Sequence, residues 1–289
     1  MRPALAMALV AVVIYCAGTL PDALGQQEAA PPGAVSGEVN KELIDAAHKL
    51  TTAEAGKYHF TLQDAPRSSP KLRAEPVLRW SNPAVGEVHG NVFLWTIGER
   101  PVVIGSLFKW FTPHTHMSHE FHSLAEAPLV GRYDGADAWT AAEPGVKFVP
   151  LPVAPPPAGT APQRLLQMKR LVKDFAATKT ERDGSKQELR LLTQPIYRYA
   201  APDNQIADGS LFVMVQGTDP EIFLLLEARG AAGKETWYFA PARMNSVQFE
   251  LRYQDREVWR AETLASRDVY GHAQPYTSFF IKMPEAASP

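Results

Sequence analysis

Apolar positions along the chain change their spacing several times, and each spacing predicts a different element. From about Glu38 to Ala55 they recur at Val39, Leu43, Ala46 and Leu50, the step of an amphipathic helix, with Ser36 placed to cap it. From about Pro162 to Phe175 the same step joins Leu165, Met168, Val172 and Phe175, and Pro162 suits a first turn. After each helix the period shortens to two. "KYHFTL" (Lys57 to Leu62) alternates as a strand does, and Asp183-Gly184 reads as the tight turn of a hairpin. "NVFLWTI" and "VVIGSLF" flank "GERP" (Gly98 to Pro101), while "SLFVMVQ" and "EIFLLLEA" flank "GTDP" (Gly217 to Pro220). Both read as hairpins of β-branched and aromatic strands. Proline cannot donate to a ladder, so Pro101 and Pro220 are expected to open the returning strands, with Gly98 and Gly217 at positive φ in the loops. Further strands are expected at Met117 to Leu124, Ala136 to Thr140, Thr236 to Arg243 and Glu257 to Ala261, with turns in "YDGADAW" and "YQDREVW".

The two series of elements run in the same order, and residue identities recur across them in register. Pro76 to Trp110 aligns without a gap on Pro195 to Arg229, an offset of 195 − 76 = 119. The identical positions include Pro76/Pro195, Arg79/Arg198, Pro83/Pro202, Gly90/Gly209, Gly98/Gly217 and Pro101/Pro220. Glycine and proline mark backbone geometry, so their agreement in register points to a repeated structure. With one more residue of offset, Arg132/Arg252, Tyr133/Tyr253 and Trp139/Trp259 match. The expected fold is α+β, with two duplicated units, each an N-terminal helix packed on a curved antiparallel β-meander. Residues 38–148 form the first unit and 162–283 the second, with a Pro-rich linker at 149–161 and a tail at 284–289. Helix followed by curved sheet is distantly similar to periplasmic lipoprotein carriers with half-open barrels, a likeness of fold only.

The ends change where the protein is expected to work. Arg2, the apolar run Ala4 to Leu20, and "ALG" (Ala23 to Gly25) have the three parts of a signal peptide, so 1–25 is read as removed and Gln26 as the mature start. Residues 26–37 are a flexible spacer. The sole cysteine, Cys16, follows Tyr15, which does not suit a lipid-modification site. Cleavage after Gly25 leaves an exported, periplasmic or envelope protein with no thiol, held together by core burial. A formal net charge of −2 with no basic block gives no footprint for nucleic acid.

Chemistry is concentrated in "FTPHTHMSHEFHSL" (Phe111 to Leu124), which holds His114, His116, His119 and His122 around Glu120. Imidazoles and a carboxylate are ligands that zinc accepts, with Glu120 as an acid–base group. The spacing is not H-E-x-x-H, because His122 follows Glu120 one residue too soon. The offset puts Trp237 to Ala242 in the same places, so the fold itself does not need histidine there. A half-exposed strand with solvated histidines is the plainer account. Arg79-Trp80 and Arg198-Tyr199 are matched pairs that could stack on or bind a ligand, or could serve the fold in both copies.

At "EPVLRWSNPAVGEVHGNVFLW", "HEFHSLAE", "DGSLFVMVQGTDPEIFLLLEAR" and "ARMNSV" the chain resembles an uncharacterised family of exported proteins from planctomycete-type bacteria. The resemblance spans most of the chain after residue 25 and implies export. It carries no activity, cofactor or site. The expected function is therefore non-catalytic binding of a small molecule, lipid or envelope component. The alternative is a metal-dependent, hydrolase-like enzyme on the histidine cluster.

Overall fold

A computed structural model describes residues 34–65 and 68–281, with side chains from residue 40 onward. The signal-peptide reading, most of the spacer and the tail lie outside the described residues. The chain opens with α1 (Ala34–Ala55), followed by β1 (Tyr58–Leu62), β2 (Lys71–Leu72), β3 (Leu78–Ser81), β4 (Glu87–Ile97), β5 (Arg100–Thr112), β6 (Met117–Ser123), β7 (Leu129–Tyr133) and β8 (Ala136–Ala141). Within the Pro-rich stretch, β9 (Val149–Pro150) is a short strand. Then come α2 (Ala161–Leu171), β10 (Phe175–Thr180), β11 (Lys186–Glu188), β12 (Arg190–Ala201), β13 (Ile206–Gln216), β14 (Asp219–Arg229), β15 (Thr236–Arg243), β16 (Gln248–Tyr253) and β17 (Arg256–Ala261). A short α3 (Ser266–Tyr270) leads to β18 (Tyr276–Ile281).

Antiparallel sheet dominates, and its strands fall into four sheets rather than one meander per half. Their orders are β1-β7-β8, β18-β6-β5-β4-β2 with β3 also on β4, β12-β13-β14-β15-β9, and β11-β10-β16-β17. The reason lies in the central strands. β4, β5, β13 and β14 are buried almost from end to end, without alternation. Such strands need cover on both faces, and a single curved sheet over a helix supplies only one. The first strand of each half therefore stays out of the large sheet and pairs with a later one, β1 with β7 and β10 with β16, making a second small sheet.

Three apolar layers result. Val92, Leu94, Ile104, Leu211, Val213 and Leu225 meet between the two large sheets. Phe60, Trp95, Phe121 and Trp139 fill the space between the first large sheet and β1-β7-β8. Met168, Phe212, Leu224, Phe239 and Phe249 do the same in the second half, where α2 joins them. Each fully buried side chain of this size contributes about 1.5–3 kcal/mol by leaving water. The buried stripe of α1 is Ala47, Thr51 and Ala55, with Leu43 and Leu50 half-buried, so the helix is turned from the expected face. Small residues on that stripe let it lie close on β4 and β5.

The two long hairpins have loops one residue shorter than expected. Ile97 pairs with Arg100 and Gln216 with Asp219, leaving Gly98-Glu99 and Gly217-Thr218 as two-residue turns. Positive φ falls on the glycine of each, at 56° and 62°, as in a type II′ turn. Pro101 and Pro220 sit second in their strands, each at a register shift, where the missing N–H costs no ladder bond.

Candidate functional site

β6 separates the histidines by simple alternation. Its residues Met117, His119 and Phe121 face the layer under β1, while Ser118, Glu120 and His122 face the seam between the large sheets. His119 is fully buried and shares a 2.8 Å hydrogen bond between Nδ1 and the Tyr58 hydroxyl. His122, also buried, donates from Nε2 to the Gly145 carbonyl at 3.0 Å. Burial pushes both imidazoles down to about 4. His114 and His116 precede the strand in the β5–β6 loop, with ring centres 5.4 Å apart beside Trp110. The four histidines thus occupy three places. Among the described residues no three His, Cys, Asp or Glu side chains converge in a way that could hold a metal ion.

Glu120 points into the seam and accepts a hydrogen bond from the Tyr276 hydroxyl at 3.1 Å. Burial, then the nearby Asp219, pushes its carboxyl well above the usual range. Asp219 is itself pushed up to about 6 by burial. Lys179 lies in the same group, held by Glu221 at 2.6 Å, Gln216 at 2.8 Å and Glu181 at 2.9 Å. Its charge is thus fully used.

The matched Arg-aromatic pairs take different surroundings in the two halves. Trp80 lies over Gly90, its cross-strand partner, where an added Cβ would sit 2.2 Å from the indole. Its Nε1 donates to Ser106 at 3.1 Å. Tyr199 lies the same way over Gly209. Arg198 grips the Asp208 carboxylate with two bonds of 2.9 and 2.6 Å. Arg79 is exposed beside His48 and Glu75 on the α1 side. These four residues do not form one site.

A different set does converge, at one end of the seam. Arg100 opens β5 in the first half, and Arg229 closes β14 in the second. Between them stands Glu126, on the loop joining β6 to β7. Arg229 makes a bidentate pair with it, Nη2 to Oε1 at 2.5 Å and Nη1 to Oε2 at 3.1 Å. Arg100 Nη2 donates to the same Oε1 at 2.8 Å. Beneath lies Glu227, wholly buried. It accepts from Arg229 Nε, from the Tyr199 hydroxyl at 2.5 Å and, more loosely, from Arg100 Nε at 3.5 Å. The guanidinium of Arg229 stacks 3.7 Å from the ring centre of Phe148. Burial raises the Glu126 carboxyl, but the Arg229 and Arg100 guanidiniums outweigh it and hold the group below its usual range.

Hollows surround this carboxylate. One of about 350 Å³ is walled by Asn204, Gln205, Arg229 and Tyr238. Another, of about 550 Å³, is walled by Val146, Phe148, Pro241 and Trp259. A third lies toward Leu62, Ile97 and Val102. Glu126 borders all three. Nothing local in the sequence marks this site. Arg100, Glu126 and Arg229 follow a turn, sit in a loop and end a strand, and only the packing of the two halves brings them together. No family model, curated protein or solved structure matches the chain.

Proposed function

We propose that this chain is an exported, non-catalytic binding protein built from two copies of one α+β unit, and that its ligand binds in the cleft around Glu126. The observation that carries the reading is the convergence just described: Arg100 and Arg229, from opposite halves, hold one partly exposed carboxylate where three hollows meet. Ligand sites favour such places, because walls from two units enclose a volume that neither makes alone.

The pairing pattern supports the duplication. With the offset of 119, β4 (Glu87–Ile97) falls on β13 (Ile206–Gln216), and the register shift beside Pro101 falls on that beside Pro220. Contacts across the seam are reciprocal. Tyr197 donates to the Glu99 carbonyl in the first hairpin turn at 2.8 Å, and Thr218 in the second turn donates to the Ser81 carbonyl. Short strands cover equivalent edges, β18 on β6 and β9 on β15.

The same offset shows that the two ends of the seam differ. Arg100 corresponds to Asp219 and Arg229 to Trp110 (100 + 119 and 229 − 119). The double-arginine cleft therefore belongs to one end alone, as a site acquired by one end after duplication would.

To test the site, the full chain is incubated with an extract of small molecules and read by native mass spectrometry. A bound mass is expected that Arg229→Lys removes, because lysine keeps a positive charge against the buried Glu227 but cannot form the planar fork. A bound mass that the substitution leaves in place would move the site elsewhere. Export rests on the pattern of residues 2–25. N-terminal sequencing of the protein from its native source should start at Gln26.

A further inference from the structure

We propose that the cleft takes a molecule bearing one carboxylate on an apolar, ring-sized body, and that Glu126 fills the place of that carboxylate until the ligand displaces it. The inference rests on the reading of this cleft as the binding site. Its basis is the unequal standing of the two carboxylates that the arginines share.

Glu227 is fixed. Its side chain has no exposed surface, it sits within β14, and three donors converge on it. It presses each guanidinium from below and fixes the direction of the remaining donors. Those donors, Nη1 and Nη2 of Arg229 and Nη2 of Arg100, all point to Glu126. Glu126 is the replaceable one. Its side chain is 43% exposed, against 11% for Arg100 and 20% for Arg229, and it hangs from a loop. A change of rotamer takes it out of the fork without moving the backbone.

Charge selects what can replace it. Two arginines and two carboxylates leave the group neutral. If Glu126 swings away, one positive charge is left in a poorly solvated place, which is unfavourable unless another anion enters. A carboxylate restores neutrality and fits the planar fork of Arg229 as Glu126 does. A neutral or cationic ligand does neither. The adjoining hollow then selects the rest of the molecule. Phe148, already stacked on Arg229, continues into a wall with Val146, Pro241 and Trp259. That wall offers apolar and aromatic contact, and its volume of about 550 Å³ is in the range of small-molecule sites.

The test uses calorimetric titration of the full chain with 1-naphthoate, its neutral counterpart 1-naphthalenemethanol, and sulfate. Wild type should bind naphthoate and not the alcohol. Glu126→Ala should bind naphthoate at least tenfold more tightly, because the internal competitor is gone, and Glu126→Gln should do the same if the alanine variant folds poorly. Arg229→Met should lose binding. If naphthoate and the alcohol bind alike, the carboxylate class is wrong while the cleft remains a binding site. If sulfate binds the Glu126 variants as tightly as naphthoate does, the apolar body is wrong. If removing Glu126 brings no gain, or naphthoate binds neither protein, the displacement proposal falls, and the extract experiment alone then decides the cleft.

Discussion

Gly90 and Gly98 lie eight positions apart on one hairpin, and each is needed for a different reason. Gly98 has positive φ and open space where a Cβ would go, so a side chain there meets only backbone strain. Gly98→Ala should cost about 1 kcal/mol. Gly90 has ordinary φ but no room, because the Trp80 indole occupies the Cβ position. Gly90→Ala must displace a buried indole and should cost about 2–4 kcal/mol. Urea unfolding of both variants checks the order. In a Trp80→Ala background the cost of Gly90→Ala should largely vanish, while that of Gly98→Ala should not. An equal cost in both backgrounds would mean the indole does not require that glycine.

At the scale of elements, the unexpected feature is β18. The sequence pattern puts residues 162–283 in the second unit, yet Tyr276–Ile281 pairs along β6 of the first half. β6 is buried along almost its whole length, and with a free edge it would present a row of unpaired backbone groups, a template for association. β18 covers it and buries Tyr276, Thr277 and Ser278. A chain ending at Gly271 should lose more than about 4 kcal/mol and self-associate through β6. Thermal unfolding with size-exclusion chromatography would detect both. A monomeric truncated chain of unchanged melting temperature would show that the edge needs no cover. The second half solves the same problem with β9, drawn from the stretch read as a plain linker.

The whole molecule carries opposing titrations in its buried layers, His119 under β1 and His122 and Asp219 at the seam. His119 and His122 titrate near 4 when folded, against about 6.5 in an unfolded chain. The folded state binds fewer protons in that interval, so these histidines make stability fall as pH drops from about 6.5 to about 4. Asp219 behaves oppositely. Its folded value is raised to about 6, so its contribution is present below about 4 and is lost as pH rises through about 6. The stability of His122→Leu relative to wild type should therefore improve as pH falls from 7 to 4, by on the order of 3 kcal/mol at most. That of Asp219→Asn should improve as pH rises over the same range. Denaturant unfolding at several pH values decides it. Parallel pH curves for variant and wild type would mean the group titrates normally.

What the sequence by itself determined was everything set by neighbours along the chain. Alternation located β1, the β-branched runs located the long hairpins, and paired glycines located turns at Gly98 and Gly217, because these depend on local sterics and on which side of a strand meets water. The histidine cluster shows the limit. Four imidazoles are close in sequence, but His114 and His116 stay in the loop before β6, and the strand turns His119 and His122 to opposite faces, where burial isolates them. Arg100, Glu126 and Arg229 show the converse, with 103 positions between Glu126 and Arg229 and a bidentate bond joining them. Only tertiary structure could decide either matter. Two sheets buried on both faces must find each other, and charged groups at the rim of their contact are brought together by that packing and by no pattern along the chain.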